Sequence, residues 1–83
     1  MEDMMMVVAR GTRADGTYSV KDMYSNMTAK QVVDYLTYIK ERYSNGIKTD
    51  GTEIRMIQVN GWLQMIRSIE SIEEMIKTYK EVA

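Results

Sequence analysis

Two kinds of hydrophobic pattern alternate along the chain and predict six elements in the order strand, strand, helix, repeated once. Short apolar or alternating runs that end near glycine are typical of strands, whereas apolar residues spaced by three, four and seven are typical of amphipathic helices. The predicted bounds are residues 4–24 for a first hairpin, 28–45 for a first helix, 52–69 for a second hairpin and 71–83 for a second helix. The two ββα halves fit an internal duplication, and they equally fit two ordinary amphipathic helices.

Capping motifs set the predicted helix starts. Thr28 and Gln31 have the spacing of a capping box, in which each side chain bonds the backbone N–H of the other residue. Ser71 and Glu74 repeat that spacing before the second helix. We therefore expect one α+β domain over residues 1–83. It would be a two-layer sandwich, with a four-stranded, mainly antiparallel sheet and two helices mainly on one face.

The second hairpin is the stretch around which both halves must pack. Asn60-Gly61 is the dipeptide that a two-residue type I′ turn favours, because both central residues need positive φ. That turn fixes the register and divides the apolar side chains between the two faces of the sheet. The first set is Ile54, Met56, Leu63, Met65 and Ile69, and the second set is Ile57, Val59, Trp62 and Ile66.

Two helices cover about one face of a four-stranded sheet, so one of these sets needs another cover. We assign the first set to the helices. The second set then forms an apolar interface with Trp62 as its anchor, since large uncovered patches usually mark interaction surfaces. Two alternatives remain open: the helices could lie on opposite faces of the sheet, or a β-bulge near Met56-Ile57 could shift the register.

Composition also favours assembly. The chain has 83 residues, so its core is small, and it lacks the Cys and His that disulfides or a structural zinc would use. Self-association is the remaining common means of stabilisation, and a two-fold homodimer is its default symmetry. A hydrophobic fraction of 45% is high enough for a folded domain.

Charge and residue types argue against several classes of function. The net charge of −1 without a basic stripe is unlike that of nucleic-acid-binding proteins. No apolar run reaches the roughly 18 residues of a membrane span, and the acidic start of the chain is unlike a signal peptide, so we expect a cytoplasmic protein. Without His, Cys or a glycine-rich phosphate motif, we expect neither catalysis nor a metal or other cofactor.

One segment has features of a ligand-binding loop. Residues 10–16 contain two arginines and two glycines, which could hold a phosphate while nearby tyrosines stack on a base. The residues of this candidate site are Arg10, Gly11, Arg13, Gly16, Tyr18 and Tyr24. The competing interpretation, which the pattern favours, is a solvated hairpin loop.

The sequence therefore predicts a non-catalytic, self-associating interaction protein. We expect it to present a sheet face to a second copy or to another protein partner, as a small accessory or inhibitor protein of a phage or mobile element would. The alternative is a small oligomer that binds or sequesters a phosphate-bearing molecule such as a nucleotide.

Overall fold

A computed structural model describes residues 4–44 and 54–83. Its elements are β1 (Met5–Thr12), β2 (Tyr18–Met27), α1 (Ala29–Ser44), β3 (Ile54–Val59), β4 (Trp62–Met65) and α2 (Ile69–Lys80). The strands form one antiparallel sheet in the order β2-β1-β3-β4, which confirms the predicted α+β fold and its ββαββα order. The predicted helix end at residue 45 and hairpin start at residue 52 lie outside the described residues.

The first helix starts where its capping box predicts. The Thr28 hydroxyl accepts the Gln31 N–H at 3.2 Å, and the Gln31 side-chain carbonyl accepts the Thr28 N–H at 2.8 Å. These bonds satisfy backbone donors that the start of a helix otherwise leaves unpaired. From this cap, α1 turns one apolar face onto the sheet. Its buried side chains are Ala29, Val32, Tyr35, Leu36 and Ile39.

The second helix starts at Ile69, earlier than predicted, so Ile69 belongs to a helix and not to the hairpin. Ser68 is its N-cap, without a side-chain hydrogen bond, and the Ser71 N–H already donates to the Ser68 carbonyl at 3.2 Å. The predicted capping box of Ser71 and Glu74 is therefore wrong. Packing sets this helix start, because half-buried Ile69 and fully buried Ile72 lie three residues apart on the face that contacts the core.

The turn of the second hairpin forms as predicted. The φ angle is 50° at Asn60 and 82° at Gly61, both in the left-handed region that a type I′ turn requires. Val59 pairs with Trp62 across the turn, so Met56, Leu63 and Met65 lie on the face opposite to that of Ile57, Val59 and Trp62, as the turn predicts. Asn60 also joins the hairpin to β1, since its N–H donates to the Met6 carbonyl and its Oδ1 accepts the Met6 N–H, both at 2.9 Å.

The helices cover the opposite face of this hairpin from the one we predicted. The exposed fractions of Ile57, Val59 and Ile66 are 0, 2 and 2%, and these side chains pack in one cluster with both helices. Their predicted role as an interface is therefore wrong. Trp62 lies on the same side of the sheet but is 81% exposed. Because α1 and α2 contribute to the same cluster, the alternative with helices on opposite faces does not apply.

The first strand determines which face is covered. Ala9 pairs with Ile57, whereas the next residue, Arg10, pairs with Met56. A small apolar residue tolerates a helix packed on it, but a guanidinium buried beneath a helix needs an ion-pair partner. The face that contains Arg10 and Met56 therefore stays open. The β3–β4 hairpin is apolar on both faces, so its own sequence does not indicate which face the helices cover.

Irregular pairing adjusts the register at both hairpins. Between the pairs Arg10–Met56 and Gly11–Ile54, β3 has one residue more than β1, which is a β-bulge at Arg55. This bulge is the kind of register shift that the second alternative allowed, and it turns Ile54 toward the helices, where Ile54 packs against the core. The predicted place of Ile54 in the first set is wrong for this reason. Two further shifts lie between β1 and β2.

Paired alanine substitutions check which face is covered. Ile57→Ala truncates a fully buried side chain, so we expect it to lower the free energy of unfolding by about 2–4 kcal/mol. Leu63→Ala truncates a side chain that is 49% exposed on the other face and should cost less than about 1 kcal/mol. Urea unfolding at low protein concentration, followed by circular dichroism, measures both. Equal losses would contradict the face assignment.

Candidate binding surfaces

The β1–β2 loop is closed by its own hydrogen bonds. Nη1 of Arg13 donates to the Thr17 hydroxyl at 3.2 Å and to the Tyr18 carbonyl at 3.0 Å. The Asp15 carboxylate accepts the Thr17 hydroxyl at 2.6 Å and the Thr17 N–H at 3.0 Å, and these two bonds lower the pKa of Asp15. Gly16 supplies the positive φ of the turn. Arg13 is therefore used in the loop itself, as the solvated-loop interpretation expects.

The other residues of the predicted phosphate site are divided between the two faces of the sheet. Arg10 and Tyr18 project from the uncovered face, whereas Gly11 is buried on the covered side and Tyr24 contacts a ring of α1. Since the sheet separates their side chains, Tyr18 and Tyr24 cannot stack on the same base. The structure does not assemble the six predicted residues into one site.

The uncovered face of the sheet is mainly apolar, and we call it the open face. Strand pairing aligns two complete rows across it, Met23–Val8–Gln58–Leu63 and Val20–Arg10–Met56–Met65. Met6 lies beyond the first row and Tyr18 beyond the second. The exposed fractions of its large apolar side chains are 59% for Met23, 49% for Leu63, 47% for Met6, 46% for Val20 and 42% for Tyr18.

Arg10 is the only charged residue in the two rows. Its Nε donates to Oε1 of Gln58 at 3.1 Å, so the two polar side chains at the centre of the face are bonded to each other. Val8, which pairs with Gln58, is only 7% exposed although no helix covers it. Side chains on the open face therefore already pack on one another.

A second surface is a groove of about 710 Å³ between the end of β2 and the first half of α1, which we call the tyrosine groove. The rings of Tyr24 and Tyr35 meet edge to face there, with centroids 5.4 Å apart and planes at 65°. The Tyr35 hydroxyl donates to Oδ2 of Asp22 at 2.8 Å. Tyr38, about one helical turn beyond Tyr35, also lines the groove and is exposed.

The sequence analysis did not identify Tyr35 and Asp22 as residues of a candidate site. Tyr35 continues the helical spacing of Val32, Leu36 and Ile39, so its place on the core side of α1 was available from spacing alone. Asp22 had no such signal. Regular alternation would put it beside Val20 on the open face, but the register shift between the pairs Ala9–Asp22 and Arg10–Val20 turns it toward α1.

Trp62 belongs to neither surface. It starts β4 on the helix side of the sheet, next to a small cleft of about 220 Å³ that Thr78 and Tyr79 of α2 also line. Its neighbour Leu63 points to the open face. Trp62 is therefore separated from the open face although it adjoins it in sequence.

The described part of the chain has neither a cluster of metal ligands nor a membrane-spanning helix. Within 4–44 and 54–83, no three acidic, His or Cys side chains come together as a set of metal ligands. The two described helices are both too short or too polar to cross a membrane.

The buried hydroxyl of Tyr35 predicts a loss of stability in alkali. Burial and then the hydrogen bond to Asp22 raise the pKa of Tyr35 above its usual value of 10.0. The unfolded chain therefore loses this proton at lower pH than the folded protein. The protonated Tyr35 hydroxyl therefore makes its full contribution to the free energy of unfolding below about pH 10. That contribution falls as the pH rises further, by up to about 1.4 kcal/mol per pH unit.

Chemical denaturation at a series of pH values between 8 and about 11.5 measures this effect. Tyr35→Phe should cost about 1–2 kcal/mol at neutral pH, because the Asp22 carboxylate loses a donor, and it should remove this part of the alkaline slope. Tyr18→Phe, on the open face, is the matched control. The assignment fails if Tyr35→Phe leaves the alkaline slope unchanged.

The described residues thus provide two surfaces suited to binding. The open face is broad and mainly apolar, with one Arg–Gln hydrogen bond at its centre, whereas the tyrosine groove is aromatic, open to solvent and has the Asp34 carboxylate in its lining. No family model matches the sequence, and no curated protein or solved structure matches it either.

Proposed function

We propose that the protein is a non-catalytic binding protein that pairs with a second copy of itself through the open face. The observation that supports this function is the composition of that face. Its two rows contain six apolar side chains, one glutamine and one arginine. Both helices pack on the other side of the sheet, so neither of them shields these residues. Exposed apolar patches of this extent usually mark interaction sites.

The size of the patch sets the expected strength of the contact. Five of its large side chains are about half exposed, and together they present roughly 400 Å² of apolar surface. Two copies would then bury roughly 800–1,200 Å² in total, which is the range of weak and transient interfaces. We therefore expect a dissociation constant in the micromolar range or above.

A second copy suits the open face geometrically. Two sheets pack face to face at a spacing of about 10 Å when the side chains of both interdigitate. Four of the contributing residues are methionines, whose flexible side chains fill irregular gaps. These are Met6, Met23, Met56 and Met65. A two-fold axis through the face would give a four-layer dimer in the order helix, sheet, sheet, helix.

A lysine placed on the open face should separate the copies. Leu63→Lys and Val20→Lys each replace an exposed apolar side chain by a charge that a face-to-face dimer would have to desolvate. We expect each to raise the dissociation constant of the dimer at least about tenfold. Sedimentation velocity over a series of protein concentrations measures the constant.

Trp62→Lys is the matched control, because it makes the same kind of change on the other side of the same strand. It should leave the dissociation constant within about threefold of the original value. The proposal is wrong if the unchanged protein stays monomeric up to about 1 mM. It is also wrong if Trp62→Lys separates the copies and Leu63→Lys does not.

The charge of Arg10 provides a further test of the proposed dimer. A guanidinium has five N–H donors, and one of them is occupied by Gln58. In a symmetric dimer two such groups would be desolvated without a carboxylate in either row. Arg10→Leu should therefore strengthen self-association, with a dissociation constant at least about threefold lower in the same sedimentation experiment. Weakened association would show that Arg10 has an acceptor across the interface, and would contradict the proposed arrangement.

A further inference from the structure

The tyrosine groove lies on the side of β2 that faces α1, away from the open face. Tyr24 projects from the strand toward Tyr35, whereas Met23, the residue before it, pairs with Val8 on the open face. A ligand can therefore occupy the groove of a single copy of the chain. Met23 belongs to both surfaces, because it lines one edge of the groove and lies in a row of the open face.

The walls of the groove are aromatic and accessible. Tyr24 is 42% exposed and Tyr38 is 48% exposed, whereas Tyr35 behind them is buried. The face of a phenol ring carries partial negative charge, which attracts cations within about 6 Å of the centroid. The hydroxyl of Tyr35 donates to the Asp22 carboxylate, and this bond adds electron density to its ring.

The formal charge in the lining of the groove is negative, like the partial charge on the faces of the rings. Among the described residues, Asp34 is the only charged one that lines it, and the Asp22 carboxylate lies at the Tyr35 hydroxyl. Lys30 contacts Asp34 at 3.4 Å, but the two side chains are 81 and 64% exposed, and such exposed pairs exchange readily with other ions. The Asp34 carboxylate would repel a phosphate or carboxylate ligand, whereas a cation would compete with Lys30 for that carboxylate.

The protein's own Arg42 already uses one of these tyrosines as a cation site. Its guanidinium carbon lies 5.1 Å from the centroid of the Tyr38 ring, and its Nη1 donates to the Tyr38 hydroxyl at 2.6 Å. Arg42 is not among the residues that line the groove, so it does not fill the space between Tyr24 and Tyr38. That space holds no cation of the described chain.

We propose that the tyrosine groove binds a small organic cation that carries an alkylated ammonium group. The alkyl groups would contact the rings of Tyr24 and Tyr38 and the side chain of Met27, and the charge would face Asp34. The volume of about 710 Å³ is that of a small-molecule pocket, not of a site for one ion. A bare metal ion is not accommodated, because it needs several oxygen ligands and the lining supplies one carboxylate.

The test uses the full chain, choline as the cation and 3,3-dimethyl-1-butanol as its uncharged isostere. Titrations followed by ¹H–¹⁵N correlation spectra report the affinity and the residues that respond. We expect saturable shifts for choline, centred on residues 23–27 and 34–38, with a dissociation constant of about 1 mM or lower. The isostere should bind at least about tenfold more weakly, because it has the same shape without the charge.

Substitutions at the wall and at the carboxylate localise the site. Tyr24→Phe keeps the aromatic face and should leave the dissociation constant within about threefold, whereas Tyr24→Leu should raise it at least about tenfold. Asp34→Asn should raise it severalfold, since Asp34 is exposed and contributes through charge alone. Thermal unfolding of each variant shows whether the fold is retained, and Asp34→Asn remains informative if Tyr24→Leu is unstable.

Three outcomes would overturn the proposal. The first is an absence of saturable choline binding up to about 10 mM. The second is equal binding of the uncharged isostere, which would make the groove merely apolar. The third is a peptide with trimethyllysine that binds at least about tenfold more tightly than choline, which would replace the free cation by a modified protein.

Discussion

The register between β1 and β3 determines both the core and the exposed surface of this domain. It sets Ala9 opposite Ile57 and Arg10 opposite Met56. Successive side chains point to opposite faces, whereas directly opposed residues share a face, so a shift by one residue could bring Arg10 opposite Ile57. Either Arg10 would then lie beneath the helices, or Ile57 would lie in water. A buried guanidinium without a carboxylate partner is strongly destabilising, so the native register is well specified. The two hydrogen bonds between Asn60 and Met6 hold the same alignment at the turn end of the hairpin.

Local chemistry made most of the elements predictable. The Thr28–Gln31 cap and the Asn60-Gly61 turn each depend on a few neighbouring residues, and both form as the sequence indicates. Which face the helices cover was not predictable from the hairpin. It depends on the pairing of β3 with β1, a strand that lies about fifty residues earlier in the chain. The start of α2 was mispredicted for a similar reason, since tertiary packing of Ile72 outweighs a cap motif.

The candidate sites were harder to predict than the fold. Residues 10–16 looked like a ligand loop by composition, yet Arg13 and Asp15 satisfy their hydrogen bonds within the loop. The tyrosine groove depends on a register shift that turns Asp22 toward α1, and such shifts leave little trace in the pattern of a single strand. Surfaces made by irregular pairing become visible only once the partner strand is known.

The two outer strands of the sheet have a consequence for how copies can meet. On one side, β2 has an extra residue at each of two places relative to β1, and on the other side β4 is only four residues long. Extra residues twist and interrupt a ladder, and a short strand offers few free backbone groups, so neither margin is a good template for another chain. Growth of a continuous intermolecular β-sheet, the route to fibrils, is thereby discouraged. The dimer proposed above uses the side chains of the open face instead of these backbone groups.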